Sequence, residues 1–234
     1  MSEYQYYEFV AIDRPLDDDE RAEIEALSSR ATITSTRFVN EYDFGDFKGD
    51  PNELMESYYD VHLYLANWGM HRVMFRLPCD LLDPDTVAEY CVGEQVSAWV
   101  VDEFVVLDFA NEDEDSEIDR EPESLLSAIV GVRGELAAGD LRPLYLAWLA
   151  AYGTWERDED AFDDEADGDL EPPVPPGLGS LTPAQQALAD FLRLDAVLLA
   201  TAAETGLPAA PDVPRRTVAN LLDGAAHRRT GSGH

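Results

Sequence analysis

The chain has 234 residues, with 49 Asp and Glu against 16 basic residues and a formal net charge of -33. Such a charge repels nucleic acid and anionic lipid and attracts basic surfaces, which argues against direct contact with DNA, RNA or a membrane. A hydrophobic fraction of 45% and an aromatic fraction of 10% belong to a folded protein rather than to an acidic disordered tail. No apolar run approaches the roughly 20 residues that a membrane-spanning helix needs.

The charge is unevenly placed. Residues 1–101 hold 21 acids and 7 bases, residues 102–171 hold 23 and 4, and residues 172–234 hold 5 and 5. High-salt adaptation also yields acidic, lysine-poor chains, and Lys48 is the only lysine here. A salt-adapted surface should be acidic throughout, and the neutral last segment argues against that origin.

Residues 5–12 are rich in aromatic and β-branched residues and predict a strand. Asp17 and Glu20 form a capping box that starts a helix to about Ser29, with Ile24 and Leu27 on its buried face. Residues 31–40 return to strand. The loop 43–50 leads to Asp50-Pro51, an N-cap with proline at the first helical position. Val61, Leu63 and Leu65 alternate, as do Val73, Phe75 and Leu77, and Asn67-Trp68-Gly69 turns the chain between them. This predicts a hairpin. Asp83-Pro84 repeats the helix-start signal, with a helix to about Cys91. Residues 97–109 predict two short strands around Asp102-Glu103, or one long one.

After an acidic loop at 110–123, Leu125, Leu126, Ile129, Val132 and Leu136 predict one helix closed by Gly139. Asp140 caps a second, with Leu144, Tyr145, Trp148, Leu149 and Tyr152 on one face. Residues 156–171 hold ten acids and one arginine, a composition that predicts a disordered linker, and 172–177 (PPVPPG) extend it as a stiff spacer. Thr182 and Gln185 form another capping box, for a helix carrying Leu188 to Leu198. A short last helix carries Val218, Leu221 and Leu222. The expected class is α+β: a mixed N-terminal sheet with helices on one face, compatible with a ferredoxin-like arrangement carrying insertions. The expected divisions are residues 1–110 as the α+β domain and 121–155 as a helical hairpin packed on it. A linker at 156–180 and a small helical module at 181–225 complete the chain.

Candidate chemistry is sparse. Asp60, His62 and His71 flank the predicted hairpin, and a carboxylate with two imidazoles can bind zinc or iron in a small metal-dependent hydrolase. Two half-buried histidines on a sheet explain the same residues. Cys79 and Cys91 lack metal-ligand or redox spacing, and with no signal peptide they read as reduced, buried structural thiols. Lys48 lies between Gly45 and Gly49, but no phosphate-loop sequence follows and its neighbours are acidic. No nucleophile elbow is present, and no motif implies a cofactor.

Interaction is the leading function read from these residues. Trp68 at a turn is a candidate anchor. Asp158, Glu159, Asp160, Asp163, Asp164 and Glu165 are candidates to meet a basic groove. The expected activity is that of a non-catalytic accessory protein binding a basic protein, such as one that handles nucleic acid. A metal-dependent hydrolase and a DNA mimic are the alternatives.

The segments YYEFVAIDRPL, GDFKGDP, HLYLANWG, GDLRPLYLAWLA and PPVPPGLG resemble stretches of an uncharacterised bacterial protein family best represented in actinobacteria. The resemblance implies a cytoplasmic bacterial protein and brings no activity, cofactor or catalytic residue with it.

Overall fold

The computed structural model describes residues 4–112, 122–155, 170–205 and 215–231. Its centre is a seven-stranded sheet in the order β2-β3-β1-β4-β5-β7-β6. The strands are β1 (Gln5–Val10), β2 (Thr32–Ile33), β3 (Arg37–Tyr42), β4 (Val61–Ala66), β5 (Met70–Pro78), β6 (Val96–Val101) and β7 (Phe104–Glu112). Every neighbouring pair is antiparallel. The α+β class holds, but the sheet is antiparallel throughout rather than mixed.

The helices sit on both faces rather than one. The first two are α1 (Asp18–Leu27) and α2 (Pro51–Ser57). Their Ile24, Leu54 and Met55 pack with Tyr7, Phe9, Phe38 and Met74 on one face. The opposite face carries α3 (Pro84–Ala88), α4 (Pro122–Ile129), α5 (Gly131–Ala137), α6 (Arg142–Trp155), α7 (Pro183–Phe191), α8 (Ala196–Thr205) and α9 (Val218–Gly231). One apolar cluster there joins Leu63, Val73 and Phe75 of the sheet to Leu149, Leu188, Leu198 and Leu221. Buried residues of α7, α8 and α9 therefore belong to the same apolar cluster as the sheet.

Strand order explains the two faces. β3 and β4 flank β1 and so run parallel, joined by α2; β5 and β6 flank β7 in the same way, joined by α3. The two crossovers step the same way across the sheet, but their strands run in opposite directions. A shared crossover handedness then places α2 and α3 on opposite faces. The two units lie side by side, whereas a ferredoxin-like fold interleaves them on one face.

Local signals account for the elements. Asp17 and Thr182 make full capping boxes, and Asp50 and Asp83 cap helices that begin with proline. The expected 31–40 strand is broken by Thr34, which pairs with Arg37 through its backbone and its hydroxyl and turns β2 back onto β3. The expected helix 125–136 divides at Val130 into α4 and α5. The expected 182–198 helix ends at Arg193, whose φ of 57° lies in the left-handed region.

The part of the expected linker at 156–169 lies outside the described residues. Its Pro-rich continuation is a packed strap rather than a free spacer. Leu178 is buried, Tyr90 donates to the Pro173 carbonyl at 2.8 Å, and Arg142 donates to the carbonyls of Gly177 and Ser180.

Candidate functional site

The acidic residues of α1 and α2 face each other. On α1, Ile24 points into the core, which leaves Glu23 and Leu27, one turn apart, toward α2. On α2, Leu54 and Met55 are buried, and Glu53 and Glu56, three residues apart, look back toward α1. Leu27, expected on the buried face, is instead exposed at 36%. Between the helices lies a cleft of about 700 Å³ lined by Glu23, Asp50, Glu53 and Glu56, with Lys48 as its only basic lining residue. A phosphate would meet four carboxylates there, which opposes the glycine-flanked lysine as a phosphate site.

Several of these carboxylates are held in place. The Glu23 carboxylate accepts from the Tyr58 hydroxyl at 2.7 Å and, by holding that proton, pushes the phenol up to about 12. Asp50 accepts from the Asn52 amide. Glu56 accepts from the Trp99 indole at 2.8 Å, so the cleft is tied to β6, the strand at the sheet edge. Fixed carboxylates at one cleft can receive guanidinium or ammonium groups with little reorganisation.

The structure does not assemble the metal set proposed from sequence. His62 is paired with Met74 and stacks on Phe9, 3.9 Å between centroids, on the α1/α2 face. His71 is paired with Leu65 and packs against Phe191 on the opposite face. The alternation of β4 and β5 puts the two imidazoles on opposite sides of the sheet. The Nδ1 atoms of both face backbone carbonyls, that of Glu8 for His62 and that of Phe191 for His71, at 2.9 Å each. A carbonyl only accepts, so Nδ1 carries the proton in each ring. Among the described residues, no group of three or more His, Cys, Asp and Glu is placed to hold a metal ion.

Asp60 is committed elsewhere. Its carboxylate is 1% exposed and accepts from the amides of Ile12 and Asp13 at 2.6 and 2.9 Å. It also accepts from Arg76 at 2.9 Å. Arg133 of α5 lies 3.7 Å from the same carboxylate, grips Asp13 with both terminal nitrogens and donates to the Arg76 carbonyl. This network ties the helical layer to the sheet end, which is a structural role.

Trp68 stands at the β4–β5 turn and is 39% exposed. Asp158, Glu159, Asp160, Asp163, Asp164 and Glu165 lie outside the described residues. Cys79 is half-buried and Cys91 is exposed, so the thiols are not the buried pair expected; both are free. Sequence reasoning missed Glu23, Glu53 and Glu56. Its usable signal was three acids beside buried helix positions with a single lysine nearby, but it took strand order to bring the two helices together.

The chain matches no known protein-family model, no curated protein and no solved structure. Among the described residues, no helix is long and apolar enough to cross a membrane.

Proposed function

We propose that this is a non-catalytic interaction protein whose acidic surface holds a basic protein partner, of the kind that itself handles nucleic acid. The observation that carries this reading is the α1/α2 cleft, where Glu23, Asp50, Glu53 and Glu56 line one recess on a folded scaffold. Individual exposed ion pairs contribute only about 0–1 kcal/mol each. Several converging on one recess, in the field of a chain with net charge -33, give orientation and a fast encounter. The acids Asp158 to Glu165 add to that field by their charge, and Trp68 offers an apolar contact at the hairpin tip.

Decalysine tests the reading. Titrated into the full chain, it should shift the backbone amide signals of α1 and α2 first. Binding should weaken at least tenfold between 0.05 and 0.5 M NaCl. The double substitution Glu23→Gln with Glu53→Gln should remove that preference. Shifts spread evenly over the acidic surface, or affinity indifferent to salt, would contradict it.

A further inference from the structure

β6 closes one end of the sheet, and among the described residues only the Val92–Val96 bridge pairs with its outer side. Its hairpin with β7 pairs Val101 with Phe104 and Val96 with Phe109, and the Ala110 amide donates to the Gln95 carbonyl at 2.8 Å. Alternation along an antiparallel ladder then turns the amides and carbonyls of Ser97, Trp99 and Val101 toward β7. Those of Val96, Ala98 and Val100 face outward. Val96 is satisfied by a two-way bond with Val92. Ala98 and Val100 direct two N–H and two C=O groups away from β7, with no hydrogen bond to them among the described residues, and Val100 is 53% exposed.

The strand reads VSAWVV, with strong β-formers and no charge, and lacks the lysine, proline or inward charge that usually blunts a free edge. Its ends are acidic. Glu94 stands before it, and Asp102 and Glu103 form the turn after it, all exposed. On the cleft side, Trp99 is bonded to Glu56.

We propose that β6 is a strand-addition edge that receives an extended, basic segment of the protein partner, continuous with the α1/α2 cleft. This rests on the acidic-surface reading above and supplies the backbone geometry that the reading lacks. The incoming strand would exchange hydrogen bonds with Ala98 and Val100. Its residues on one face would lie beside Val100. Those on the other would lie beside Trp99 and Glu56, where lysine or arginine is favoured. A second copy of this chain is a poorer occupant. An antiparallel self-pair centred on Trp99 places Glu94 of one copy alongside Asp102 and Glu103 of the other, acid against acid.

Two peptides of equal charge separate strand addition from plain attraction: acetyl-Lys-Val-Lys-Val-Lys-Val-Lys-amide and acetyl-Lys-Gly-Lys-Gly-Lys-Gly-Lys-amide. The valine peptide should bind the full chain at least tenfold more tightly, and the Ala98 and Val100 amides should become protected from hydrogen exchange. Ala98→Pro removes an outward N–H that the ladder to β7 does not use, a position where edge strands tolerate proline. It should bring the valine peptide down to the level of the glycine peptide and leave the latter unchanged. N-methylation of the valine amides should do the same without altering the protein, which covers a variant that fails to fold. A valine peptide with no advantage, or one indifferent to both changes, overturns the edge proposal. If the glycine peptide still binds with salt sensitivity, the acidic-surface reading survives that result; if neither peptide binds, both fall. Protection of Ala98 and Val100 in the free chain at dimer mass would assign the edge to self-association and also overturn it.

Discussion

Trp99 of the edge strand donates its indole N–H to the carboxylate of Glu56 on α2 at 2.8 Å. One bond thus couples the open end of the sheet to the acidic cleft. A hydrogen bond to a charged acceptor contributes roughly 1.5–3 kcal/mol. Trp99→Phe should therefore lower unfolding free energy by about 2 kcal/mol in urea titrations. Glu56→Gln keeps an acceptor oxygen and should cost less than about 1 kcal/mol. Equal losses from the two would mean that packing, not this bond, holds the strand to the helix.

The Asp60 network should be a principal determinant of stability. Removing one member of a buried ion pair leaves an uncompensated charge, at about 3–5 kcal/mol. Asp60→Ala strands Arg76, which is 9% exposed, and also frees the amides of Ile12 and Asp13. Loss of that size, measured by chemical denaturation, is the expected result. A loss below about 1 kcal/mol would contradict the burial of the pair.

His62 gives the fold an acid-side weakness. Burial against Tyr7 and Phe9 holds its imidazole down to about 3, and the nearby Arg72 lowers it further, against one raising contact from the Glu8 carbonyl. Its folded value lies below the ordinary value of 6.5, so the unfolded chain takes up a proton first as pH falls. Stability is then lost below pH 6.5, by about 2 kcal/mol between pH 6.5 and 4.5. His62→Phe should remove that slope over this interval, read by urea unfolding at each pH. An unchanged slope would place its origin in the carboxylates.

Glu171 should act as the clasp of the C-terminal helices. It is buried, accepts from Arg216 at 2.9 Å through each oxygen and bonds the Tyr145 hydroxyl. Burial and that carboxylate push the Tyr145 phenol up. The Glu171 amide and carbonyl are bonded to the same 215–216 segment. Arg216→Ala should raise hydrogen exchange in α9 ahead of the sheet and cost about 3 kcal/mol. Uniform change across the chain would count against a local clasp.

Local signals were legible in the sequence. The capping boxes at Asp17 and Thr182, the Asp-Pro starts and the alternation of β4 and β5 depend on neighbours in the chain, and each appears where the residues placed it. What depends on distant partners was not legible. Whether Asp60 meets a metal or Arg76, and whether His62 and His71 share a face, is set by strand order and register. Leu27 has the helical spacing of a core residue, yet it lines the α1/α2 cleft and stays 36% exposed. Residues 172–177 have the composition of a spacer, and contacts set by the fold, from Tyr90, Arg142 and the apolar core that takes Val174, turn them into a packed strap.

The central claim is that charge on the folded acidic face brings the partner in. It is tested most directly by association kinetics with the basic protein captured from cell extract, measured across ionic strength. The wild-type association rate should fall at least tenfold between 0.05 and 0.5 M NaCl, where the screening length shrinks from about 14 Å to about 4 Å. Glu23→Gln with Glu53→Gln should lower that rate at low salt and leave dissociation within about twofold. Joint neutralisation of Asp158, Glu159, Asp160, Asp163, Asp164 and Glu165 should lower it further. An association rate that ignores salt, with the substitutions acting only on dissociation, would contradict the account.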